Sequence, residues 1–284
     1  MNPEILRVRS SDGAETDATV YAAAYAQAPV VLIWSAMGVS ARFYQPLAEK
    51  IAGSGLNAVT VDLRGIGSSS LRARRGTDFG YATLVEKDWP AAVAAVRARF
   101  PQSPLWLLGH SLGGQLSALY LAQNPGTANG LLLVASGSVY YKGWNGTTRW
   151  GTLFFTQFAA GLATLLGYFP GKRVGFGGTE AKTVMRDWAR VARNGRYQPT
   201  GTGFDYEAAL SRMSLPVFGI TLTRDNFASR QAMHNLLAKM PAAKTEHRHL
   251  RAEDTGGIGL DHFNWVKNAD AIVPLLSSRV RPPV

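Results

Sequence analysis

Short apolar runs alternate along this chain with longer stretches of mixed polarity. Val30–Trp34 is continuously apolar, which suits a strand buried on both faces of a parallel sheet. Asn57–Val61, Pro216–Leu222 and residues 105–108 and 130–135 read as further strands, and residues 245–250 as the last one. Residues 4–10 and 16–22 flank the turn Ser11-Asp12-Gly13 and predict a hairpin. Between the strands, helical periodicity is expected over residues 43–52, 83–100, Leu112–Gln123, 228–237 and 269–276. Gly53-Ser54-Gly55, Pro101 and Asn124-Pro125 supply stop signals for the first three. Alternating strands and helices predict an α/β fold, a mostly parallel sheet covered by helices on both faces.

Residues 138–213 break the alternation. They carry Tyr140, Tyr141, Trp144, Trp150, Phe154, Phe155, Phe158, Tyr168, Phe169, Phe176 and Trp188. The expectation is a helical cap inserted into a core formed by 1–137 and 214–284. Residues 153–169 are the most apolar part, interrupted by Thr156, Gln157 and Thr164. At the short limit for a membrane span, roughly 17 residues, this segment is read as a cap helix rather than an integral span. Tyr140, Trp144 and Phe158 are the aromatic candidates for contacting substrate.

Composition narrows the chemistry. The 284 residues are 46% hydrophobic and include no cysteine, so disulfides, thiolate nucleophiles and cysteine-ligated metals are excluded. The formal charge is +11, but its cations are scattered, and the densest group is the short run Arg72, Arg74 and Arg75. No zinc-finger spacing or basic helix accompanies them, so nucleic acid is not an expected partner. A basic surface also suits an acidic acyl-carrier protein. The opening residues Met1-Asn2-Pro3-Glu4 show no basic-then-apolar leader, and a cytoplasmic location is expected. The loop 62–68 is glycine-rich but lacks a Walker lysine and a dinucleotide spacing, so no cofactor is expected, and no metal.

The strongest motif is Gly109-His110-Ser111-Leu112-Gly113, set between a buried strand and a helix. A serine nucleophile must stand on a sharp, strained bend, and small residues on either side let the backbone close it. The helix that follows directs its positive end at the same place. Serine needs a neighbouring base. Of five histidines, His110 points away from the hydroxyl by alternation, His234 lies within a helix, and His247 and His249 lie on the last strand. His262 follows the glycine-rich loop 256–261 beyond that strand, at the sheet edge where ligands meet an open α/β sheet. Asp225 follows Pro216–Leu222 and precedes a helix, giving the chain order Ser, Asp, His. Its carboxylate is the candidate orienting group for the base.

These residues together resemble the α/β-hydrolase superfamily, over nearly the whole chain. Two further segments match it. Trp34-Ser35-Ala36-Met37-Gly38 lies where the family carries His-Gly-x-Gly, and Asp62-Leu63-Arg64-Gly65-Ile66-Gly67-Ser68 is similar to its D-x-R-G-x-G-x-S turn. The stretch Leu166-Gly167-Tyr168-Phe169-Pro170-Gly171-Lys172-Arg173 is most like the bacterial branch grouped with the serine aminopeptidases. The resemblance implies an oxyanion hole formed by the Met37 and Leu112 N–H groups. Ser35-Ala36 departs from the usual His-Gly, which a backbone donor tolerates if the turn is kept. Arg224 departs too, standing where a second acid is expected. A peptidase of that kind needs cap carboxylates for a free amine, for which Glu180, Asp187, Asp205 and Glu207 are available, but the cap is aromatic rather than acidic. The expected reaction is hydrolysis of an ester or thioester of a hydrophobic acyl or aryl group. Acyl transfer by the same triad and a non-catalytic binding protein on the same scaffold stay open.

Overall fold

The computed structural model describes residues 3–25 and 27–281. Residues 1, 2, 26 and 282–284 lie outside the described residues, and with them the first part of the opening read above for a leader.

Eight strands form one twisted sheet. They are β1 (Glu4–Arg9), β2 (Glu15–Tyr21), β3 (Val30–Trp34), β4 (Asn57–Val61), β5 (Leu105–His110), β6 (Gly130–Val134), β9 (Pro216–Leu222) and β10 (Lys244–Leu250), in the spatial order β1-β2-β4-β3-β5-β6-β9-β10. The β1–β2 and β2–β4 pairs are antiparallel and all others are parallel. Every residue of β3, β4, β5 and β6 is buried, which explains their near-continuous apolar sequences. One core cluster lies on each face of the sheet, led by Trp34, Trp89 and Leu116 on one side and by Tyr44, Leu47 and Trp265 on the other. From β3 the chain runs to β4 on one side and returns to β5 on the other, so β3 and β5 form the switch point where such sheets place their ligands.

The helices are α1 (Gln45–Gly53), α2 (Tyr81–Thr83), α3 (Trp89–Arg99), α4 (Leu112–Gln123), α9 (Arg230–Leu237) and α10 (Val273–Val280) around the sheet. The helix expected over 83–100 is not uniform: α2 and α3 are joined by a π-helical turn, Leu84–Asp88. Pro90 accounts for it. A proline ring clashes with the carbonyl four residues back and offers no N–H, and a wider turn relieves both problems.

The segment between β6 and β9 holds α5 (Gly146–Leu166), β7 (Tyr168–Pro170), α6 (Gly171–Val174), β8 (Thr179–Ala181), α7 (Lys182–Asn194) and α8 (Tyr206–Arg212). It is not wholly helical, because β7 and β8 pair antiparallel as a small ribbon. The helix expected over 153–169 starts earlier and stops at Leu166. Gly167 takes φ 88° and ends it, a left-handed stop that glycine accepts without strain. Tyr168 and Phe169 therefore lie in β7. Among the described residues no helix is long and apolar enough to cross a membrane.

The loop after β4 ties the sheet edge together. Asp62 accepts from the N–H groups of Ala41 and Ser68 and from the Ser68 hydroxyl. Arg64, almost fully buried, pairs with both Asp12 and Asp88, and Asp88 also accepts from Ser10. The Arg64 pair holds Asp12 down at about 2. The D-x-R-G-x-G-x-S pattern is thus a structural clamp in this chain.

Candidate active site

Ser111 is the single residue between β5 and α4, with φ 53° and ψ −119°. Positive φ is uncommon for a residue with a Cβ and marks stored strain. Its surroundings enforce that geometry. A Cβ on Gly109 would collide with the Gly114 backbone, and one on Gly113 would stand 2.5 Å from the Trp34 carbonyl oxygen. The start of α4 is therefore pressed against the ends of β5 and β3. The Ser136 hydroxyl donates to the Ser111 carbonyl at 2.7 Å, holding the bend from the end of β6.

Asp225 and His262 meet at the same edge. His262 Nδ1 lies 2.9 Å and 3.0 Å from the two Asp225 carboxylate oxygens. Asp225 Oδ1 also accepts from the Phe227 and Ala228 N–H groups at 2.8 Å. The N-cap of α9 is Ser229, which accepts from Ala232 N–H, so the Asp225 carboxylate remains with His262. Both side chains are buried, and the His262 ring is flanked by Phe227 and Phe263.

The loop after β3 is held by a second histidine. Ala36 N–H donates to the Tyr44 hydroxyl at 2.9 Å, and that hydroxyl shares a 2.6 Å hydrogen bond with His110 Nδ1. Burial pushes His110 well below its ordinary pKa, so the imidazole stays neutral. His110 thus steadies Ser35-Ala36, the pair that replaces His-Gly, and its ring packs 4.8 Å from that of His262. Among the described residues neither Met37 nor Leu112 gives its N–H to a backbone acceptor. Gly38 takes φ 73°, and its Cα lies so close to Gly177 and Gly178 that a Cβ would strike the Gly178 nitrogen.

A cavity of about 490 Å³ joins these parts. Its lining includes Met37, Ser111, Leu112 and His262 from the sheet edge, and Trp144, Phe155, Phe176 and Trp188 from the 138–213 segment. Of the three aromatic candidates only Trp144 lines it, and its indole N–H also donates to the Asn226 carbonyl at 3.2 Å, beside Asp225. Phe158 and Tyr140 do not line it. Phe158 is 59% exposed, because α5 turns Gly151, Thr152, Phe155 and Thr156 inward and leaves Phe158 on another face. Tyr140 packs on Gly195, its ring 3.0 Å from where a Cβ would stand.

The four cap carboxylates are engaged outside the cavity. Glu180 is buried and accepts from Gly178 N–H. Asp187 accepts from Tyr81 and Thr200 N–H and pairs with Arg190. Asp205 caps α8, and Glu207 pairs with Lys239. Burial lifts Glu180 to about 7 and raises Asp187 despite its donors. Arg224 lies along Gly259 and faces a separate, open vestibule of about 720 Å³ with Lys267 and Asp261. His262 lines both spaces. Gln115, not singled out from the sequence, lines the inner cavity. Its position one helical turn after Ser111 is the signal that could have found it, because residues four apart share a helix face.

A family model described as serine aminopeptidase, S33, matches residues 26–250. Over 106 residues the chain is 29% identical to a monoglyceride lipase homolog of monkeypox virus, a match that spans 37% of this chain and 37% of that protein. Among solved structures it is similar to an esterase from Exiguobacterium antarcticum, with a TM-score of 0.62, 15% identity and coverage of 97% of this chain and 99% of that one. It is also similar to the thioesterase domain of the curacin biosynthetic pathway, with a TM-score of 0.60, 17% identity and coverage of 98% and 100%. At these identities the structural likeness speaks for the fold. The family match extends over most of the chain, and this protein belongs to the serine aminopeptidase S33 family of α/β hydrolases.

Proposed function

We propose that the protein is a serine hydrolase that cleaves an ester or thioester of a hydrophobic acyl or aryl group through an acyl-enzyme on Ser111. The observation that carries this reading is the convergence of a strained Ser111 and the Asp225–His262 pair on one largely apolar cavity. Ser111 Oγ attacks the carbonyl while His262 Nε2 takes its proton, and Asp225 holds the Nδ1–H and stabilises the imidazolium. The Met37 and Leu112 N–H groups hold the oxyanion, each worth about 3–4 kcal/mol. His262 then protonates the leaving group, and water, activated by the same imidazole, releases the acid.

Aminopeptidase action fits poorly despite the family's name. A free substrate amine needs a fixed carboxylate, and Glu180, Asp187, Asp205 and Glu207 are each committed elsewhere. The core 1–137 and 214–284 carries the chemistry in this reading, and 138–213 shapes the substrate space.

Intact-mass analysis after fluorophosphonate treatment tests the proposal. One adduct on wild type and none on Ser111→Ala is expected. A folded wild type that takes no adduct would sink the nucleophile assignment and favour a binding protein. Adding alcohol or thiol acceptors to a turnover assay separates hydrolysis from acyl transfer by the product formed.

A further inference from the structure

The inner cavity is walled mostly by aliphatic and aromatic groups, and the polar groups of its α5 wall are already engaged. The Thr152 and Thr156 hydroxyls donate back into α5, to the Thr148 and Leu153 carbonyls. Gln115 differs. Its Oε1 accepts from the Tyr197 hydroxyl at 2.9 Å. Tyr197 is buried, and burial holds its phenol far above the ordinary value, so it stays a donor. The amide is therefore locked with its oxygen toward Tyr197, and among the described residues no hydrogen bond uses its Nε2. An amide nitrogen with two N–H donors faces a largely apolar acyl site, and among the described residues no protein acceptor takes them.

We propose that Gln115 is a specificity-determining residue that donates to an oxygen on the substrate's acyl chain, and that the preferred acyl group carries a 3-hydroxy or 3-oxo function. The inference rests on the hydrolase reading above and deepens it. Gln115 follows Ser111 by four residues, a rise of about 6 Å along α4. Helical side chains lean toward the N-terminus, which brings the amide back toward the reacting carbonyl. An oxygen on the third carbon reaches a donor at that separation, and one much further along the chain overshoots it. The acyl chain rather than the leaving group meets Gln115, because the leaving group must depart beside His262, which opens onto the outer vestibule. A plain acyl chain would desolvate the Nε2 donors without replacing their hydrogen bonds, and sites built this way reject the analogue that lacks the acceptor.

The test compares kcat/KM for N-acetylcysteamine thioesters of octanoate, 3-hydroxyoctanoate and 3-oxooctanoate. Wild type, Gln115→Leu and Tyr197→Phe are each checked for fluorophosphonate labelling of Ser111. Wild type is expected to favour an oxygenated chain by about tenfold to a hundredfold. Gln115→Leu should abolish that ratio, whichever way absolute rates move. Tyr197→Phe, which frees the amide to flip, should give an intermediate ratio. A ratio near one in wild type, or one that survives in Gln115→Leu, overturns the role of Gln115 and leaves the hydrolase reading intact. Labelling without turnover of any of the three thioesters overturns the acyl class. Failure of wild type to label at all overturns the hydrolase reading beneath it.

Discussion

Helices α4 and α5 are both strongly apolar, yet they have opposite surroundings. In α4 every residue from Leu112 to Leu121 is buried, because the helix is packed between the sheet on one side and α8 and the π turn on the other. In α5 only Thr156, Ala159 and Ala163 are buried. One of its faces lines the cavity, and another presents Trp150, Phe154, Phe158 and Leu165 to solvent. Apolar composition alone therefore does not report depth in this fold. What separates the helices is whether a second layer lies beyond them, and only tertiary structure supplies that layer.

The largest effect should come from removing side-chain volume in each helix. Leu116→Ala, in the middle of α4, should lower unfolding free energy by about 2–5 kcal/mol, whereas Phe154→Ala, 75% exposed, should change it by no more than about 0.5 kcal/mol. Equal losses in urea melts would mean that α5 is covered in solution.

Buried charge extends the contrast from the helices to their regions. Around the sheet, Arg64 answers Asp12 and Asp88. Beside the cavity, Glu180 accepts from Gly178 N–H, and burial lifts it from 4.5 to about 7. Between those values the unfolded chain releases a proton that the folded chain keeps. Stability is thus fully present below about 4.5, falls as pH rises to about 7 and is flat above, a loss of up to about 3 kcal/mol. Glu180→Gln keeps the acceptor for Gly178 and should flatten that decline. Parallel stability-against-pH curves for the two proteins would refute it.

Glycine provides the smallest and cleanest test. Gly113→Ala places a Cβ against the carbonyls of Trp34 and Ser35 and should cost about 1–3 kcal/mol by overpacking. Gly161→Ala in α5 meets nothing within 4 Å and should stabilise by about 0.5–1 kcal/mol, the usual helical advantage of alanine. Thermal melts showing the same sign for both would break the comparison.

The parts of the fold readable from sequence are those where local pattern and tertiary role agree. Asn57–Val61, Leu112–Gln123 and Pro216–Leu222 have the bounds their patterns predict, because apolar runs with glycine or proline punctuation leave few alternatives. The β7–β8 ribbon was not legible, since three-residue strands carry too little periodicity to register. Phe158 and Tyr140 illustrate a different limit: composition marks a segment as aromatic, but which ring enters a cavity depends on helix rotation and on Gly195, far away in sequence. The proposed triad residues could be singled out because Ser111 and Asp225 follow strand ends and His262 follows the glycine-rich loop beyond the last strand, each with its own local signature. For Gln115 the sequence offers only its place one helical turn after Ser111, because its hydrogen-bonding role comes from Tyr197, 82 positions later.

The backbone-to-backbone seat of Gly38 on Gly177 and Gly178 constrains how relatives of this protein can exchange parts. A segment transplanted from another member would land on Met37-Gly38, the loop offered above as an oxyanion donor. Any incoming loop with a side chain at that seat would push the donor out of line, even with Ser111, Asp225 and His262 untouched. Chimeras built on this scaffold should therefore move Gly38 and the 175–178 loop together, as one inherited unit.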